Sequence, residues 1–70
     1  MESARLLGIL RRRATRLNLR HEEKPGKGSH LKVRHGEAAT VVPMHRGDLA
    51  KGTYRAILKQ LGLTERDLEE

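Results

Sequence analysis

The sequence has no cysteine, phenylalanine or tryptophan, and only one tyrosine. Without cysteine neither a disulfide scaffold nor a thiolate metal site can form, which leaves histidine and carboxylates for any chemistry. Tyr54 is the only ring besides four histidines, so platforms that read single-stranded RNA by stacking bases on several aromatics are nearly excluded. Any binding of nucleic acid must rest on charge, backbone contacts and shape. No apolar run approaches the roughly 18–20 residues of a membrane-spanning helix, and no apolar stretch with a small-residue cleavage site marks a signal peptide. The expectation is a cytoplasmic protein with no membrane partner.

What is present is charge. Lys and Arg number 15 against 9 Asp and Glu, a net charge of +6, and such an excess favours polyanions. Seventy residues are too few for two units that each bury a core, so residues 1–70 are expected to form one domain. With 36% apolar and 34% charged residues its core must be thin, which makes a stabilising partner plausible.

Hydrophobic spacing predicts the order of elements. Ser3 is a candidate N-cap, and Leu6, Leu7, Leu10, Ala14 and Leu17 recur at helical intervals, which predicts a helix over about residues 4 to 16. The run Arg11-Arg12-Arg13 with Arg16 falls at its C-terminal end, where cations complement the helix dipole. Residues 17 to 23 alternate and predict a short strand, with Leu17, Leu19 and His21 on its apolar side. Lys24-Pro25-Gly26-Lys27-Gly28 reads as a loop, since Pro cannot donate to a ladder and two nearby glycines break either periodicity. From Ser29 a second strand alternates strictly, with Leu31 and Val33 on one side and His30, Lys32 and Arg34 on the other. His35-Gly36-Glu37 turns into a third strand, Ala38 to Pro43, with Ala39 and Val41 expected inward and His35 expected to cap the turn. Tyr54, Ile57, Leu58 and Leu61 predict a helix over about 53 to 61, closed by Gly62 as a C-terminal cap. Thr64-Glu65-Arg66-Asp67 has the form of a capping box and would start a short last turn through Leu68. The expected class is α+β, in the order α-β-β-β-α with an optional short C-terminal helix. A three-stranded antiparallel sheet would carry both helices on one face and leave the other face open.

On that open face His30, Lys32 and Arg34 would form a row beside a basic, glycine-rich loop that carries Lys24 and Lys27. RNA cleavage without metal requires a base for the 2′-OH proton, an acid for the leaving 5′-oxygen, and cations for the phosphorane charge. Histidine, with an ordinary pKa of about 6.5, suits the first two roles, and Lys or Arg the third. Gly26 and Gly28 could let backbone N–H groups approach a phosphate. With Ser29, these residues are the candidate RNA or phosphate contacts. Spacing alone leaves a bland alternative, because a lone surface histidine beside a glycine-rich turn is commonly incidental. The segment is not a phosphate-binding P-loop, since spacing and ending differ. His45, two residues after Pro43, could be a second proton carrier, a phosphate contact, or simply a hydrogen-bonding group. His21 reads as a partly buried, satisfied imidazole and Tyr54 as core. No two histidines lie at the three-to-five spacing of a zinc site within one helix, so neither metal nor cofactor is expected.

Three segments in order, Gly26-Lys27-Gly28-Ser29-His30, Thr40-Val41-Val42-Pro43-Met44-His45 and Lys51-Gly52-Thr53-Tyr54-Arg55 continuing to Leu63, resemble HicA-type toxins. The resemblance implies a double-stranded-RNA-binding-domain-like fold and a messenger-RNA interferase, that is, a metal-independent endoribonuclease of a toxin–antitoxin module. It also implies a HicB-type antitoxin that covers the active face in a hetero-oligomer. By position it makes His30, after Gly-Ser, the active histidine, and His45 the histidine of Val-Pro-x-His. The first half departs from the family pattern, because a Gly-aromatic pair after the first helix and an aromatic soon after Gly-Ser-His are missing. The alternatives are a non-catalytic RNA-binding module of the same fold, or a ribosome-associated structural protein.

Overall fold

Helix α1 (Ser3–Leu17) buries Leu6, Leu7, Leu10 and Ala14 along one face, as the three- and four-residue spacing requires. It starts without the expected serine cap. Glu2 takes the cap position, and Ser3 lies inside the helix with its hydroxyl buried and donating to the Pro43 carbonyl at 2.5 Å. That bond ties the start of α1 to the end of the third strand, and it satisfies a polar group that burial would otherwise penalise. The structure, a computed structural model, describes residues 1–69.

The end of α1 corrects the sequence reading of residues 17 to 20. Asn18 adopts φ 55°, and the Asn18 and Leu19 N–H groups bond back to the Thr15 and Ala14 carbonyls at 3.4 and 2.8 Å. This pair closes the helix as a Schellman motif, for which asparagine is tolerated in the left-handed conformation. Leu17 is therefore the last helical residue rather than the first of a strand, and it stands 48% exposed.

Three antiparallel strands follow, β1 (His21–Pro25), β2 (His30–His35) and β3 (Ala38–Pro43), in the order β1-β2-β3. Lys24 and Pro25, read from sequence as loop, belong to β1. Pro25 is accommodated because it ends an edge strand, where its missing N–H interrupts little. The inward residues of β3 are Thr40 and Val42, not Ala39 and Val41. Register decides this: Val33 faces Thr40 and Leu31 faces Val42, and directly opposed residues share a side of the sheet. The Thr40 hydroxyl is satisfied by the Gln60 side-chain oxygen at 2.5 Å.

Helix α2 (Lys51–Leu61) begins two residues before the expected start at 53 and ends at Gly62, φ 69°. There the Gly62 and Leu63 N–H groups bond to the Lys59 and Leu58 carbonyls, the cap read from the glycine. The capping box at Thr64 is formed, with the Thr64 N–H donating to Asp67 Oδ2 at 2.7 Å, and a 3-10 turn (Glu65–Leu68) follows. Both helices lie on one face of the sheet. Leu6, Leu7 and Leu10 of α1 and Ile57, Leu58 and Leu61 of α2 meet Val33 and Val42 from below, with Leu49 and Leu68 closing the ends. Among the described residues no helix is long and apolar enough to cross a membrane.

Candidate functional site

The other face of the sheet has no covering layer. Alternation along β2 exposes His30 and Lys32 and leaves Arg34 half-buried, while Val33 and His35 point into the protein. Antiparallel register then sets side chains beside this row. Lys32 lies between Lys24 of β1 and Val41 of β3, Arg34 between Glu22 and Ala39, and His30 opposite Pro43. Lys24 and Lys32 are like charges placed directly opposite each other, an arrangement that disfavours the sheet. Among the described residues the side chains of Lys24, Lys27, Lys32 and Arg34 have no hydrogen-bond or ion-pair partner, so their charge is available to a ligand.

Two shallow hollows mark this face and meet at Lys32 and Val41. One is bounded by Lys27, Gly28, Ser29 and His30. The other is bounded by Glu22, Lys24, Arg34, Ala39 and Gln60. Val41, 46% exposed, contributes to both. The small or apolar outward residues of β3 thus leave a depression with cations along its rim.

A tight turn holds His30 at one end of it. The Gly26 N–H donates to the His30 carbonyl at 2.8 Å, and the His30 N–H donates to the Lys27 carbonyl at 3.2 Å. A Cβ on Gly26 would stand 2.9 Å from that same His30 carbonyl oxygen, so no side chain fits at 26 without displacing the backbone of His30. Gly26 is therefore a support for His30, and its N–H is not a phosphate donor as the sequence suggested. Gly28, φ 63° with open space around it, keeps the freedom expected of it.

The His30 ring makes one hydrogen bond, between Nδ1 and the Lys27 carbonyl at 3.2 Å. A carbonyl only accepts, so Nδ1 carries the proton, and in the neutral ring Nε2 has a free lone pair. The site therefore presents an exposed, oriented proton acceptor beside Lys27 and Lys32. Met44 N–H bonds to the Ser29 carbonyl at 2.7 Å, which fastens the chain after β3 to this same end of the sheet. His45 follows immediately and is exposed, with Nδ1 to the Arg46 carbonyl at 3.0 Å. His30 and His45 make no hydrogen bond to each other.

The remaining two histidines form a different cluster, on the buried side. His35 is not a turn cap: it is 4% exposed, at the inward end of β2. Its Nε2 is 2.9 Å from Arg13 Nη1, and its Nδ1 is 3.0 Å from His21 Nδ1, while His21 Nε2 is 2.7 Å from Glu23 Oε2. Arg11 closes the chain on Glu23 through Nε and Nη2 at 2.7 and 2.5 Å. Because arginine only donates, each proton position follows: Arg13 donates to His35, His35 to His21, and His21 to Glu23. The Arg11 hydrogen bonds, aided by His21, hold the Glu23 carboxyl down at about 2. Burial, with the charges on His21 and Arg13, lowers the pKa of His35.

This network fastens the C-terminal half of α1 to the sheet. From sequence, Arg11 and Arg13 read only as cations that complement the helix dipole. The partners lie 12 and 22 residues away, and the one local signal was that alternation from Val33 carries His35 inward. The reading of His21 as a satisfied, part-buried imidazole holds. Among the described residues no three His, Asp or Glu are grouped to hold a metal ion.

Comparison with known proteins bears on the same segments. No curated protein matches the chain at a significant level. A family model described as the HicA toxin of bacterial toxin–antitoxin systems matches residues 17–63, from the end of α1 through the sheet and α2 to the residue after the Gly62 cap. That span is well over half of the chain and includes every strand, the turn that supports His30, and His45. The chain therefore belongs to the HicA toxin family of bacterial toxin–antitoxin systems.

Proposed function

We propose that this toxin is a metal-independent endoribonuclease, an mRNA interferase, that cleaves RNA on the open face of its sheet with His30 as the proton acceptor. The observation that carries the reading is the His30 ring itself. It is exposed on an open face among unpaired cations, and its Nδ1 is anchored so that Nε2 points its lone pair away from the turn. In the proposed reaction Nε2 takes the proton of a ribose 2′-OH as that oxygen bonds to the adjacent phosphorus. The bond from phosphorus to the 5′-oxygen breaks, and the 5′-oxygen takes a proton from an imidazolium, for which His45 is the candidate by position. Lys24, Lys27, Lys32 and Arg34 would balance the negative charge of the phosphorane, and the Gly28 and Ser29 segment would border the phosphate. The products are a 2′,3′-cyclic phosphate and a free 5′-hydroxyl.

A toxin–antitoxin family implies an antitoxin partner. We place a HicB-type antitoxin over the open face, where an acidic surface would meet the unpaired cations and block His30 together. A non-catalytic RNA-binding module of the same fold is the second reading, favoured by the absence of a hydrogen bond between His30 and His45. Incubation of the purified protein with messenger RNA in excess chelator decides between them. Fragments with cyclic-phosphate 3′ ends are expected; RNA that is bound but stays intact would establish the module instead.

A further inference from the structure

The two helices contain eight cations, five arginines in α1 and Lys51, Arg55 and Lys59 in α2, and no acidic residue. Part of the α1 charge is engaged internally, Arg11 by Glu23 and Arg13 by His35. The α2 charge is not. The side chains of Lys51, Arg55 and Lys59 are exposed and have no ion pair or hydrogen bond among the described residues. Their spacing of four residues sets them along one side of the helix, a stripe that flanks buried Leu58.

This arrangement works against the helix. Like charges four residues apart repel, and Lys51 stands at the N-terminal end, where the dipole disfavours a cation and no acidic residue in the first turn offsets it. A merely solvated face would be expected to mix signs. From these observations we infer that the outer face of α2 is a second RNA contact, in which Lys51, Arg55 and Lys59 bind the sugar–phosphate backbone.

The geometry favours a phosphate backbone over other anionic partners. One step of four residues advances about 6 Å along a helix, so the three cations span about 12 Å in a straight line, the scale of a short run of backbone phosphates. The exposed residues among them are Gly52 and Ala56, which offer no large apolar group to enter a bilayer or anchor a protein interface. Gln60, which borders the hollow formed by Arg34 and Val41, lies on the opposite flank of α2 from this stripe. A folded RNA that wraps α2 could touch both this stripe and the open sheet face. The inference rests on RNA being the ligand of the open face, but it concerns grip and not cutting.

The test is salt-dependent binding of a fluorescent RNA hairpin with 2′-O-methyl sugars, which cannot be cut by 2′-OH attack. The wild type is compared with K51Q/R55Q/K59Q, with the control R16Q/R20Q/R66Q that removes equal charge elsewhere, and with K51R/K59R. For the α2 triple variant the slope of log affinity against log salt should fall by about two to three, with affinity at least about tenfold lower at low salt. The control should lose less than half as much, K51R/K59R should bind as the wild type, and the triple variant should melt no lower than the wild type. An unchanged slope, an equal loss in the control, weakened binding by K51R/K59R, a lower melting temperature of the triple variant, or a wild type that does not bind the hairpin overturns the inference. A protein that binds in this pattern yet never cuts natural RNA keeps the α2 contact and removes the ribonuclease reading.

Discussion

His30→Ala is expected to lower RNA cleavage by a factor on the order of 10²–10⁴, the usual contribution of a positioned proton-transfer group, and to relieve the growth arrest expected of the toxin. The fold should survive, since the ring is exposed and its one bond is to the Lys27 carbonyl; surface changes of this kind usually shift stability by within about 0.5 kcal/mol. Single-turnover cleavage and thermal unfolding of the same preparation separate the two effects. Cleavage within about tenfold of the wild type would remove His30 from the reaction. His45→Ala, measured beside it, reports whether His45 supplies the leaving-group proton. A change in rate at alkaline pH, where the acid is depleted, is the signature to seek.

Stability should fall in two stages as the solution is acidified, and the buried network at the end of α1 is the cause. The native state holds His35 neutral, with a pKa below the ordinary 6.5, by burial and by the charges on His21 and Arg13. The unfolded chain therefore takes up a proton at His35 first, so stability present above about pH 6.5 declines as pH drops below that value. The second stage belongs to Glu23, ordinarily near 4.5 and held at about 2 by Arg11 and His21. Its contribution is complete above 4.5 and is lost as pH falls toward about 2. The loss across this second window should be on the order of 2 kcal/mol, which is large for a thin core. Urea unfolding at a series of pH values checks this, and Glu23→Gln should erase the lower stage while weakening the protein at neutrality. A stability that stays level from neutral pH down to the lower window would contradict it.

The parts of the molecule that the sequence made legible are those whose signal is local. In β2, Leu31 and Val33 alternate with His30, Lys32 and Arg34 without ambiguity, so the orientation of the row could be read directly. The glycine cap at 62 and the Thr64 box are likewise short-range devices. β3 was ambiguous because both of its faces contain small or branched apolar residues. Only pairing with β2 determines that Thr40 and Val42 turn inward, and the Gln60 partner that makes a buried threonine acceptable is 20 residues away. Asn18 was overlooked because Leu17, Leu19 and His21 imitate a strand, although the first of them is helical. Of the histidine network only the satisfied, part-buried His21 is legible in the sequence. The network's members come from α1, β1 and β2, and pairwise proton placement emerges only once Arg13 and Arg11 close its two ends.

The pairing of Lys24 with Lys32 has a consequence for how the protein can change. Lys24→Glu would replace repulsion with attraction across the strands and yield a sturdier free protein, yet it would put negative charge at the proposed phosphate site. A screen that rewards heat resistance alone should therefore collect changes at these two lysines and, with them, silent toxins. On the proposed reading, selection for toxicity opposes this drift, because the most stable surface and the RNA-binding one call for opposite charges.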